Sequence, residues 1–125
     1  MVKNLLSVLI AVALMCGLCF LEESVIKTSF DDFSMKIAVL SDKTTEKTAT
    51  EEDGMALQAF WREKKKSLHV FLPHNDLKEV DLWISETVFY LAAGDFKEAR
   101  AKLEVLADIA EYLPRSYRFS PDNFL

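Results

Sequence analysis

Two histidines, two cysteines and a few clustered charges are the residues on which chemistry could be built. His69 and His74 stand five apart with Pro73 between them, so they do not share a helix face as a His-x3-His metal pair would. Cys16 and Cys19 are three apart and do share a face. Both lie in an apolar run, where free thiols behave as small hydrophobes. Asp31-Asp32 and Glu51-Glu52-Asp53 lack the ligand spacing of a calcium loop and read as solvated acids. Lys64-Lys65-Lys66 reads as a wet face beside acidic neighbours. His74-Asn75-Asp76 gathers polar groups at a helix start, where Asn and Asp serve as caps. The sequence has no HExxH, no pair of Cys-x2-Cys, no Gly-rich phosphate loop and no G-x-S-x-G. The expectation is a non-enzyme with no catalytic residue, no cofactor and no metal. Trp61, His74 and Trp83 are the candidate partner-binding residues.

The elements that must position these residues read as helices. Ile26, Phe30, Phe33, Ile37 and Leu40 follow 4-3-4-3 spacing, the stripe of an amphipathic helix. Residues 41–53 are Thr-rich and charged, with no large apolar side chain, and read as an exposed linker or weak helix. Met55 to Phe71 returns to helical spacing with Leu57, Trp61, Leu68 and Phe71, and Pro73 is a stop. Leu77, Val80, Ile84, Val88 and Leu91 form the next stripe, opened by an Asp76–Glu79 capping box and closed by Gly94. Asp95 with Glu98 makes a second box before Phe96, Ala99, Leu103, Leu106, Ala110 and Leu113. Pro114 is expected to end that helix. In the tail, Tyr117, Phe119, Phe124 and Leu125 are apolar enough to dock.

Charge and hydropathy separate the two ends of the chain. Leu5 to Leu21 is 17 residues without a charge, at the short end for a membrane span. After it, 14 basic and 20 acidic residues leave residues 22–125 at a net charge of −6. That acidity argues against nucleic acid as a partner. Three readings compete for the run: an uncleaved signal-anchor, a cleaved or lipidated signal, and a buried core helix. Ala11-Val12-Ala13 has small residues at the right spacing for cleavage but lies mid-run, and neither cysteine sits in a lipoprotein box. The anchor is preferred. Lys3 before the run and Glu22-Glu23 after it place the N-terminus in the cytoplasm and the body outside, by the positive-inside rule.

Several of these features fall in the order seen in a known group of proteins. The anchor is followed by Phe60-Trp61, Lys64-Lys65, Phe71, His74-Asn75-Asp76, then Asp95, Ala99, Leu103 and Leu106. Ser120 to Leu125 matches in part a terminal Ser-x-Glu-Asn-Ile-Leu. In these respects the chain resembles a bacterial domain-of-unknown-function family of small proteins with an N-terminal membrane anchor and a helical body. The resemblance implies that architecture and no activity; the Thr-rich stretch at 41–53 departs from it. Locally, Trp83, Tyr90, Gly94-Asp95 and Ala99 resemble one tetratricopeptide repeat, where at least about three are needed for an array.

The expected architecture is all-α: a transmembrane helix followed by a small antiparallel helical bundle or hairpin. Its parts are an anchor at 1–21, a juxtamembrane amphipathic helix at 22–40, a polar linker at 41–53, and a helical hairpin with a tail at 54–125. The expected function is that of a membrane-anchored extracytoplasmic interaction or accessory protein, with the membrane and a protein as partners. The alternative is a small-ligand sensor or tetratricopeptide-like peptide-binding module.

Overall fold

The structure, a computed structural model, describes residues 2–116. Among the described residues the chain is helical, with no strand: α1 is Val2–Thr45, α2 Glu51–Leu68, α3 His74–Ala92 and α4 Phe96–Ser116. The expected docking of Tyr117, Phe119, Phe124 and Leu125 falls outside the described residues, as does the terminal Ser120–Leu125 match.

α1 is a single helix of about 66 Å, at 1.5 Å per residue, and its two halves face different surroundings. Residues 2–21 are exposed at every position, so among the described residues none is buried by the body, against the core-helix reading. α1 is long and apolar enough to cross a membrane. From Ile26 onward only one stripe is covered: Ile26, Phe30, Phe33, Ile37 and Leu40 are buried, as their spacing predicts. Thr44 extends the stripe by one turn, its hydroxyl donating to the Leu40 carbonyl at 2.7 Å.

α2 buries Leu57, Trp61 and Leu68; α4 buries Ala99, Leu103, Leu106, Ala110 and Leu113. In α3, Leu77, Val80, Ile84 and Leu91 are buried, but Thr87 takes the inward place expected of Val88. Thr87 keeps the 3-4-3-4 rhythm that Val88 breaks. Its hydroxyl donates to the Trp83 carbonyl at 2.9 Å, which removes the penalty of burying it.

The connections differ from expectation in four places. The linker expected at 41–53 shrinks to residues 46–50, with helix on both sides. α1 closes with Thr48 N–H donating to the Lys43 carbonyl and Lys47 N–H to that of Thr44, a Schellman pattern. Lys47 occupies its left-handed position at φ 60°. α2 then opens on a reciprocal capping box: Thr50 Oγ1 accepts from Asp53 N–H, and the Asp53 carboxylate from Thr50 N–H. α2 ends at Leu68 rather than Phe71; Leu72 folds inward and is buried. The expected Asp76–Glu79 capping box is not formed, because α3 begins at His74 with Pro73 as its N-cap. Asp76 instead lies in the first turn, where a carboxylate suits the helix dipole. Finally, Pro114 does not end α4, which continues to Ser116. The proline leaves the Ala110 carbonyl without its i+4 backbone donor, so α4 carries this defect in its last turns.

The turn at Gly94 agrees with its reading. Asp95 N–H donates to the Tyr90 carbonyl at 2.9 Å and Gly94 N–H to that of Leu91 at 3.1 Å, with Gly94 at φ 73°. Asp95 then caps α4 by accepting from Glu98 N–H at 3.2 Å.

α1 packs against α2 and α4, and α3 packs against the same two helices. Their facing stripes merge into one apolar core. Gly54 lets α2 come close to α3: a Cβ there would lie 3.1 Å from side-chain atoms of both Val88 and Leu91. Across α1 and α2, Lys43 meets Asp53 at 3.5 Å and Asp32 meets Lys64 at 3.6 Å, while Lys36 and Lys64 both sit 5.4 Å from the Phe60 ring.

Two substitutions test these assignments in opposite directions. Leu103→Ala, at a fully buried site, is expected to cost about 2–5 kcal/mol in denaturant melts. Lys47→Gly removes a side chain from a left-handed position and is expected to gain about 0.5–1 kcal/mol.

Candidate functional site

The three partner-binding candidates occupy three separate environments. Trp61, on α2, is 1% exposed and belongs to the core. Its ring stacks on Phe33 at 4.8 Å and meets Phe30 at 6.0 Å, both from α1. A buried indole still needs an acceptor for its N–H. Asp81 of α3 supplies one: Oδ1 accepts from Trp61 Nε1 at 2.7 Å, and Oδ2 accepts from Lys65 Nζ at 2.8 Å. One carboxylate thus ties two α2 residues to α3. Trp61 is therefore a packing residue, withdrawn from any surface contact.

Trp83 is half-buried on α3. Lys102 of α4 places its ammonium 5.4 Å from the Trp83 ring and 5.7 Å from that of Tyr90, with the Glu86 carboxylate at 3.9 Å. The cation is shared by two π faces and an acid, which ties α3 to α4.

His74 is exposed at the start of α3. The turn from α2 brings it beside exposed His69, ring centroids 6.3 Å apart and edge to face. Sequence spacing separates these rings; the turn at Pro73 reunites them. Two imidazoles fall short of the three or four protein ligands of a zinc site. Among the described residues, no group of three or more His, Cys, Asp or Glu is placed to hold a metal ion.

The charged clusters are divided among different partners. Lys64 pairs with Asp32, Lys65 with Asp81 and Lys66 with Glu63, so the lysine run presents no converging phosphate cradle. In the Glu51-Glu52-Asp53 cluster, Asp53 is the α2 capping carboxylate. The Thr50 backbone N–H, with help from the Lys43 ammonium, holds it below the usual carboxylate range, against an opposing push from desolvation. Because the folded value is the lower one, ionised Asp53 stabilises the fold above the usual carboxylate range. That contribution is lost as pH falls through the lowered value.

Two open grooves lie between the helices. The larger, about 840 Å³, runs between α1 and α4, with Phe20, Lys27, Asp31, Ala107, Glu111 and Arg115 among its lining residues. The smaller, about 260 Å³, lies between α1 and α2 at Val39 and Phe60. None of Trp61, His74 or Trp83 lines either one. Asp81 and Lys102, which organise the polar contacts, escape sequence reasoning. A buried Trp signals the need for an acceptor, but nothing in the spacing says which acid of α3 supplies it.

Comparison of the chain with family models, curated proteins and solved structures gives no match.

Asp81→Ala strands a buried indole donor and is expected to cost about 1–3 kcal/mol. Lys65→Met removes only the partly exposed ion pair and is expected to cost under about 1 kcal/mol. Chemical denaturation of both variants checks the ordering.

Proposed function

We propose that this is a membrane-anchored, non-enzymatic interaction or accessory protein. In it, residues 5–21 form a single span, the N-terminus is cytoplasmic, and the body is an antiparallel helical bundle outside the membrane. The observation that carries the proposal is the division of α1. Its first 20 described positions are exposed, predominantly apolar side chains, and the same helix continues without a break into the packed body. Exposed apolar surface of that extent is unfavourable in water and is matched by a bilayer of about 30 Å hydrocarbon thickness. The antiparallel reading is supported by the α1–α2 pairings, in which rising residue numbers on one helix meet falling numbers on the other. The resemblance of the sequence to a bacterial family of small anchored proteins points to the same plan.

The side chains with catalytic potential have structural roles or stand apart, which favours binding over turnover. With Trp61 in the core, the candidate partner surface moves to the outer face of α3. Leu82 and Phe89 stand seven residues apart on one face there, and Phe89 is 67% exposed. Half-buried Trp83 lies next to Leu82. The alternative, small-ligand sensing, is favoured by the volume of the α1–α4 groove, which lies within the range of about 300–1,000 Å³ typical of ligand pockets.

Crosslinking of the full chain in intact membranes tests the proposal. An uncleaved chain should fractionate with membranes, and Leu82→Asp with Phe89→Asp should abolish its protein crosslinks while thermal melting stays unchanged. A soluble chain that starts beyond residue 20 ends the anchor reading. Crosslinks indifferent to both substitutions end the α3 surface.

A further inference from the structure

Very little helix separates the end of the apolar run from the start of the packed body. Leu21 is the last residue of the run and Ile26 the first buried one. Five residues later means about 7.5 Å along the axis. α1 is helical throughout this interval, so no loop acts as a joint. A headgroup layer is about 5–7 Å thick on each side of the hydrocarbon. On the anchoring reading, whatever lies level with Ile26 lies in or against lipid headgroups.

The pairings of α2 with α1 identify what lies there. Position 43 meets 53, 36 meets 60, and 32 meets 64. Continued at the same register, position 70 falls opposite 26. The turn between α2 and α3 therefore sits at the lower rim of the body. At this turn stands Val70, 78% exposed, more than any other large hydrophobic described beyond the apolar run. Exposed His69 and His74 stand on the same turn, and exposed Lys66, paired with Glu63 at 2.9 Å, precedes Val70 by one helical turn. The Val70 side chain takes no part in the core of the body. Glu22 and Glu23 lie at the same level on α1, so this rim is not a strongly positive patch. Apolar contact, rather than net charge, is what it offers.

We propose that the α2–α3 turn, residues 69–74, is a second membrane contact. Val70 enters the headgroup–acyl boundary of the leaflet from which α1 emerges, with exposed His69 and His74 at headgroup level beside it. The proposal rests on the anchoring reading. It adds that the body meets the bilayer at this turn as well as through α1. The α1–α2 connection then projects furthest: Glu46 lies 20 residues beyond Ile26, about 30 Å along the axis.

Depth measurement on the full chain tests this. Cys16→Ala and Cys19→Ala clear the native thiols, and single cysteines are then placed by Val12→Cys, Val70→Cys or Glu46→Cys. Each is spin-labelled and reconstituted in bilayer discs of phosphatidylcholine and phosphatidylglycerol. Relaxation by a water-soluble paramagnet should be strong at 46, several-fold weaker at 70 and weakest at 12. A label at 12 shielded in hydrocarbon with 70 as accessible as 46 overturns the second contact and leaves the anchor standing. A label at 12 as accessible as 46 overturns the anchor, and the second contact with it.

Discussion

One ridge of side chains on the second half of α1 organises the body. Ile26, Phe30, Phe33, Ile37 and Leu40 present a continuous apolar edge, and both α2 and α4 pack against that helix. α3 completes the core by packing on those two neighbours. A small domain has little apolar area to spare, so each of these positions carries a large share of the stability. Phe33 shows why. Its ring is fully buried and stacked on Trp61, which in turn delivers its N–H to Asp81 on α3. Three helices are thus joined through two side chains and one carboxylate.

Polar residues close the seams that the apolar ridge leaves. Asp81 joins α2 to α3, Lys102 joins α3 to α4, and Lys43 with Asp53 joins α1 to α2. Among the described residues, no buried side-chain polar atom lacks a hydrogen-bond partner. Asp53 caps a helix and Asp81 holds an indole. Their positions follow from those structural roles, as does the lowered pKa of Asp53.

The unbroken helicity of α1 bears on function. A span joined to a body by a loop can swivel; one joined by continuous helix cannot. In the proposed arrangement, the orientation of the span sets the orientation of the outer face of α3 and the height of the α1–α2 connection. The two exposed cysteines lie on the apolar half, remote from every polar seam of the body.

Much of the helix content was legible in the chain itself because burial of a helix stripe depends on periodicity, which is local. The stripes of α1 and α4 read directly, and so did the Gly94 turn, where only a residue tolerant of positive φ fits well. Ends of helices were less legible. Thr44 is a polar residue buried with its hydroxyl satisfied within its own helix, so hydropathy alone cannot place it inside. Lys47 holds a left-handed position that sequence reading reserves for glycine. Pro114 lies inside α4 rather than after it, so the proline does not mark the helix end. The candidate site depended most on tertiary structure. Whether Trp61 faces solvent or core is decided by Phe30, Phe33 and Asp81, which lie 20 to 31 residues away in the chain. The meeting of His69 with His74 is decided by a turn. Periodicity tells which face of a helix is buried; only packing tells which neighbour buries it, and that determines which side chains remain free to act.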